Sequence, residues 1–297
     1  MTFIKSVQLT FIASSLSKQC KNIIKFNKNP SKNLFQLAID GPAASGKSST
    51  ARIAAQRLKF EYIDSGAMYR AVTLAALRQN LSPLSLDDAS KISQLAATSH
   101  IFIHTIFNPP PIAHTSSSKP SLPQTLVYLN GDDVTHDIRS PEITKNISGI
   151  ASNPDVRRVL VEKQRAFANG IYDYEGDKLN TIRKSSKGVV MDGRDVGTVV
   201  LPNADLKIFV TAPARIRAIR RFKELQQSST NKSLIDFNKV LEDLEKRDKN
   251  DYERKISPLK KADDAILLDT RDMSVMEQAD KIIELVLERA KEKNIDL

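Results

Sequence analysis

Residues 35–50 read Phe35-Gln-Leu-Ala-Ile-Asp40-Gly41-Pro-Ala-Ala-Ser-Gly46-Lys47-Ser48-Ser49-Thr50. The apolar run Leu37-Ala-Ile39 predicts a buried strand ending at Gly41, and residues 51–58 predict a helix. Between them stands G-x-x-x-x-G-K-S, the spacing of a phosphate-binding loop, in the strand–loop–helix context that the motif requires. Gly41 and Gly46 can take backbone angles that other residues resist. The loop can then curl so that several N–H groups face one anion. Lys47 adds a charge that can reach β- and γ-phosphates, and Ser48 offers a hydroxyl to Mg²⁺. The helix opening at Ser48 puts the loop at a positive helix end.

Composition narrows the class. The chain has 297 residues, 40% of them hydrophobic and 27% charged, as in a globular protein with one large core or two modest ones. Its one cysteine, Cys20, leaves no intramolecular disulfide. No apolar run approaches the roughly 20 residues that span a bilayer, so no membrane partner is expected. His100 and His104 have helical spacing, but they lie in a strand-like stretch without an acidic or cysteine partner, and a zinc site is not expected. Net charge is +10, and residues 1–39 hold six lysines and no acid. The body is therefore only mildly basic, which suits the handling of several phosphates better than nucleic-acid binding.

Residues 1–34 read as an appendage. They are basic, acid-free and rich in Ser and Thr, like an organellar transit peptide, although they contain no arginine. A mitochondrial matrix or other organellar location is expected if the segment is used for import, with the cytoplasm as the alternative.

Beyond the loop, Phe60-Glu-Tyr-Ile63 predicts a second strand. A helix follows to about Leu77, with Asp64 or Ser65 as its N-cap. Ser65, Tyr69 and Arg70 then start beside the loop's cleft. A helix at about 86–97 leads to strands at 101–107 and 125–129, with a long Ser/Pro-rich loop at 108–124 and a turn at Asn130-Gly131. Helices follow across 142–170, then an irregular loop at 171–187. Gly188-Val-Val-Met191 predicts a buried strand ending in Asp192-Gly193-Arg194-Asp195, an acid at a strand's C-terminal end, where open α/β sheets bind ligands. Strand 206–210 precedes a helix dense in Arg215, Arg217, Arg220 and Arg221. Helix 237–248 continues to Arg254, strand 265–268 follows, and an amphipathic helix covers 275–291. This alternation predicts an α/β fold: a parallel sheet flanked by helices.

Taken together, the segments GPAASGKSS (41–49), IDSGAMYRA (63–71), LNGDDVTHDIRSPE (129–142), SNPDVRRVLVEKQRAF (152–167), VMDGRDVGTVVLPNADLKIFV (190–210) and KRDKNDYERKISPL (246–259) resemble bacterial-type cytidylate kinase, a nucleoside monophosphate kinase of the P-loop group. The resemblance covers about residues 35–290. It implies a P-loop NTPase-type fold with a small β-rich NMP-binding insertion at about 81–170 and a lid at about 212–255. It also implies ATP-dependent phosphorylation of CMP and dCMP. A monomer is expected by default, because the sequence shows no long exposed apolar seam.

Under the resemblance, ATP is held by Gly41, Pro42, Ala43, Ala44, Ser45, Gly46, Lys47, Ser48 and Ser49. Mg²⁺ meets the Ser48 hydroxyl, with Asp192 as an outer-shell candidate. CMP falls to Ser65, Tyr69, Arg70, Ser148, Arg157, Arg194, Asp195, Arg247, Asp251 and Arg254. Within that set Ser148, Arg157 and Asp195 would recognise cytosine, and Arg247 with Asp251 the ribose or phosphate. Lys47, Arg194, Arg254, Arg217 and Arg220 carry catalysis, with Arg217, Arg220 and Arg221 in the lid. The 1–34 extension and the loops at 108–124 and 171–187 depart from the compact family pattern without interrupting a motif.

Three other readings explain less. A shikimate or dephospho-CoA kinase would not account for DGRD and the Arg247–Arg254 cluster. An RNA-binding protein would need aromatic reading clusters that the chain lacks. An inactive scaffold would not keep every motif residue.

Overall fold

The computed structural model describes residues 34–107, 123–170, 186–228 and 235–297, together with the backbone of two short strands at 24–26 and 172–174. The appendage at 1–34 and the loops at 108–124 and 171–187 lie almost wholly outside the described residues.

In chain order the strands are β1 (Ile24–Phe26), β2 (Phe35–Asp40), β3 (Glu61–Asp64), β4 (Ile101–Ile106), β5 (Gln124–Leu129), β6 (Asp132–Asp133), β7 (Tyr172–Tyr174), β8 (Gly188–Gly193), β9 (Leu206–Thr211) and β10 (Ile266–Asp269). The helices are α1 (Lys47–Leu58), α2 (Ser65–Arg78), α3 (Ala89–Thr98), α4 (Pro141–Ser152), α5 (Pro154–Ala168), α6 (Ala214–Ser228), α7 (Phe237–Glu253) and α8 (Val275–Glu292). Among the described residues no helix is long and apolar enough to cross a membrane.

Five strands form one sheet in the order β10-β9-β2-β8-β3, and every pairing is parallel. Continuous apolar runs suit it, because a parallel sheet is covered on both faces. Strand alternation divides the core. Phe35, Leu37 and Ile39 of β2 pack with Ala51, Ala54 and Ala55 of α1 and with Ile282 and Val286 of α8. Ala38 and Met191 belong to the opposite side, with Met68 and Val72 of α2 and Val156 and Leu160 of α5. The chain leaves β2 for β3, returns through β8 on one side of β2, and then crosses to β9 on the other. The crevice of such a sheet opens outside the strands' C-terminal ends, where β2 runs into the phosphate loop.

A separate antiparallel sheet joins β4, β5 and β6. Asn130 and Gly131 connect β5 to β6 at φ 54° and 97°, both left-handed, as a tight mirror-image turn needs.

Two local expectations shift. The helix expected at 86–97 begins only at Ala89, because the Asp88 carboxylate accepts from the Ser82 N–H at 2.9 Å and holds 82–88 in turns. The irregular loop expected at 171–187 contains β7, paired antiparallel with β1. Pairing between segments so distant in sequence leaves no local pattern to read.

Candidate active site

The phosphate loop is shaped by its glycines and held from outside by charged side chains. A Cβ on Gly41 would stand 2.1 Å from the Val210 carbonyl oxygen, so no larger residue fits. Gly46 caps α1 at φ 91°, in the left-handed region. Asp248 accepts from the Ala43 N–H at 3.3 Å, and Arg217 donates to the Ala43 carbonyl at 2.9 Å. Arg217 and Asp248 pair with each other at 2.6 Å. Thr270 donates to the Ser45 carbonyl at 3.3 Å, and Arg220 bonds to Thr270 Oγ1 at 3.0 Å. The Ser45 hydroxyl is buried and has no partner among the described residues.

Lys47 is buried, with Nζ 3.2 Å from the Pro42 carbonyl. Burial, reinforced by Arg194, pushes its ammonium down to about 7. An anion in the loop would restore that charge.

Asp192, next to last in β8, lies beside the loop. Its Oδ2 accepts from the Ser48 hydroxyl at 2.6 Å and its Oδ1 from the Tyr62 phenol at 2.6 Å. Its backbone carbonyl accepts from Ser65 at 2.7 Å. Burial, and then Asp64, push the Asp192 carboxyl upward. The donors here are a hydroxyl and a carboxylate, which suit a hard divalent cation. Among the described residues no group of three His, Cys, Asp or Glu could cage a metal. A Mg²⁺ ion would therefore take most of its ligands from phosphate and water, its usual mode.

Arginines gather near Lys47, on whose charge Arg194 and Arg247 both act. Arg194 Nε bonds to Asp251 at 2.7 Å, and Arg254 Nη1 lies 4.0 Å from the same carboxylate. Burial would raise Asp251, but Arg194, Arg247 and Arg254 outweigh it and hold the carboxyl low. Arg247 is pushed down to about 10 by burial and by Arg194 and Arg70. Arg70 reaches the Ile138 carbonyl at 3.1 Å and Thr144 at 3.0 Å. Arg247, Arg194 and Arg70 thus feel one another, and the guanidinium groups crowd around Asp251, an arrangement that favours an anion.

Next to this group Arg157 pairs with Asp195, the two residues being 3% and 6% exposed. The Arg157 guanidinium sits over the Tyr69 ring at 5.3 Å. The Tyr69 hydroxyl and Arg157 Nε are buried without partners among the described residues. Burial pushes the Tyr69 phenol up to about 12, so it stays a donor. Unused polar atoms beside a buried carboxylate are what a polar ring could complete.

Asp195 heads a π-turn, Val196–Val200. Asp40, the last residue of β2, accepts from the Val196 and Gly197 N–H groups at 2.8 and 2.7 Å. Burial outweighs those bonds and pushes its carboxyl up to about 7.

The structure thus brings Lys47, Ser48, Asp192, Arg217 and Arg220 to the loop, and Tyr69, Arg157 and Asp195 to one buried cluster. Ser148 is exposed on α4 and is not bonded to that cluster. Arg221 faces solvent in a pair with Glu224 at 3.1 Å. Sequence reasoning gave no role to Asp40, Tyr62, Asp248 or Thr270. Only Asp40 carried a signal, as a carboxylate at the end of an otherwise apolar strand.

A family model described as Cytidylate kinase matches residues 37–288. The Cytidylate kinase of Geobacillus sp. (strain WCH70) is 42% identical over 259 residues, covering 87% of this chain and 99% of its own. That of Listeria welshimeri is 44% identical over 250 residues, covering 84% and 94%. That of Bacillus subtilis (strain 168) is 39% identical over 257 residues, covering 86% and 98%.

Proposed function

We propose that this chain, which belongs to the cytidylate kinase family, transfers the γ-phosphoryl group of ATP to CMP and dCMP, giving ADP with CDP or dCDP. The observation that carries the reading is the buried Arg157–Asp195 pair beside a Tyr69 hydroxyl that has no partner among the described residues.

The roles follow from charge and position. Loop N–H groups and Lys47 hold the donor's phosphates, and Arg217 and Arg220 fix the loop that presents them. Mg²⁺ arriving with ATP would be held by the Ser48 hydroxyl, with Asp192 behind it, and would neutralise phosphate charge. Ser65, Arg70, Arg194, Arg247 and Arg254 receive the acceptor's phosphate. Phosphoryl transfer depends on positioning and charge neutralisation, so converging guanidinium groups do the catalytic work of a nucleophile-free site.

Asp195 accepts from the exocyclic amine of cytosine. Uracil presents a carbonyl there, which leaves the carboxylate oxygen facing the base without a donor and repels it, at a cost of about 1–3 kcal/mol. Residues of about 81–170 act as the acceptor-binding insertion and those of about 212–255 as a lid whose closure excludes water. The enzyme works as a monomer and without nucleic acid or membrane.

The test is ATP–Mg²⁺ turnover by the full chain against CMP, dCMP, UMP, AMP and GMP, with Asp195→Ala in parallel. Turnover of CMP and dCMP, weak with UMP and blunted in the variant, is expected. No turnover with any monophosphate by a folded chain that binds ATP would overturn the kinase reading.

Residues 1–34 precede the matched span; their basic, acid-free composition favours an organellar import segment, with a cytoplasmic enzyme as the alternative. Tagged full-length protein is expected in the organelle and a chain starting at Asn33 outside it. An unchanged cytoplasmic distribution would remove the import role.

A further inference from the structure

We infer that Arg165 is a positioning residue for Asp195, acting through the backbone of the π-turn that joins them. This rests on the reading that Asp195 recognises the acceptor's base. The turn is gripped at both ends. Its leading N–H groups, from Val196 and Gly197, donate to the Asp40 carboxylate. Its trailing carbonyls accept from Arg165: Nε reaches Val200 O at 2.9 Å and Nη2 reaches Val199 O at 2.6 Å. Negative charge at the N–H end and positive charge at the carbonyl end match the dipole of a helical turn.

The grip transmits to Asp195 through one short link. The Val199 N–H donates to the Asp195 carbonyl at 2.8 Å, so the unit held by Arg165 holds the Asp195 peptide in turn. Val196 and Val200 are buried on the turn's apolar side. At the trailing end the Arg165 fork engages two successive carbonyls and so fixes the orientation of that end.

Helix α5 carries both partners. Arg157 meets the Asp195 carboxylate, while Arg165, eight positions and about two turns further on, meets the backbone that presents it. One rigid element therefore sets both the guanidinium and the carboxylate of the reading pair. Arg165 itself is exposed, so shortening it opens no cavity. Its effect should appear in which acceptor is chosen rather than in whether the chain folds.

The experiment uses the full chain with Arg165→Met, which keeps the stem and removes the fork, Arg165→Lys, Asp195→Ala and the double variant Arg165→Met/Asp195→Ala. Melting temperature, KM for ATP, and kcat/KM for CMP and UMP are measured. Arg165→Met is expected to lower the CMP-to-UMP preference about tenfold, mainly through KM for CMP, with KM for ATP unchanged. Arg165→Lys should recover part of the preference. In the Asp195→Ala background Arg165→Met should change the ratio no further. An unchanged ratio in Arg165→Met beside a collapsed one in Asp195→Ala would overturn the inference alone. So would an equal loss for both acceptors, or a loss of full size in the Asp195→Ala background. An unchanged ratio in Asp195→Ala would overturn the base-reading role and this inference with it.

Discussion

Arg217 and Asp248 form an ion pair at 2.6 Å that is nearly closed to solvent and clamps both polar backbone groups of Ala43. Removing one partner strands a buried charge, whereas replacing both removes the demand. Asp248→Ala is expected to destabilise the protein by about 3–5 kcal/mol and to raise KM for ATP. Arg217→Met/Asp248→Leu should recover much of the stability but not the KM. Chemical denaturation with steady-state kinetics checks this, and equal stability of Asp248→Ala and the unaltered chain would refute it.

Lys47 gives a pH dependence with a definite sign. Its folded value near 7 lies below the ordinary 10.5. Between those values the folded, ligand-free protein binds fewer protons at this site than the unfolded chain. The group's contribution to stability is therefore present above 10.5 and lost as pH falls through 7. A phosphate placed on Lys47 restores the proton. ATP binding at pH 8 should take up protons, and affinity should fall as pH rises to 9. Calorimetry in buffers of different ionisation enthalpy reads the uptake, which Lys47→Met should abolish. Zero uptake by the unaltered chain would sink the assignment.

Tyr62 holds one oxygen of Asp192 while Ser48 holds the other. Tyr62→Phe leaves a buried carboxylate oxygen without its donor, and a loss of about 1–3 kcal/mol is expected. The freed carboxylate should also shift the Mg²⁺ concentration for half-maximal turnover. Thermal unfolding and a Mg²⁺ titration check the two effects separately, and no change in either would show that the phenol is idle.

The sheet and the phosphate loop were legible because their signals are local. Leu37–Ile39 and Gly188–Met191 are apolar runs of strand length, and Gly41, Gly46 and Lys47 stand at fixed spacing. The supports of the loop were not legible. Asp248 lies in a charged helix and looks solvated, yet it bonds to Ala43 across 205 positions. Arg217 was expected in a lid, and the same residue is found against the Ala43 carbonyl. Asp40 bonds to Val196 across 156 positions. Such pairs form only when strands from remote parts of the chain meet at one sheet end. The resemblance supplied Arg157 and Asp195 as cytosine-recognising residues, and it could not show that they would face each other with Tyr69 below.

Asp40 closes β2 and is followed directly by Gly41, while its carboxylate holds the turn that begins at Asp195. One peptide thus belongs to the framework of both nucleotide pockets. A triphosphate that displaced Asp40 would displace the turn's N–H anchor with it, and a base that displaced Asp40 would displace the loop's first residue. Linkage then makes the synergy reciprocal: the factor by which one nucleotide alters the affinity of its partner is the same whichever of them arrives first.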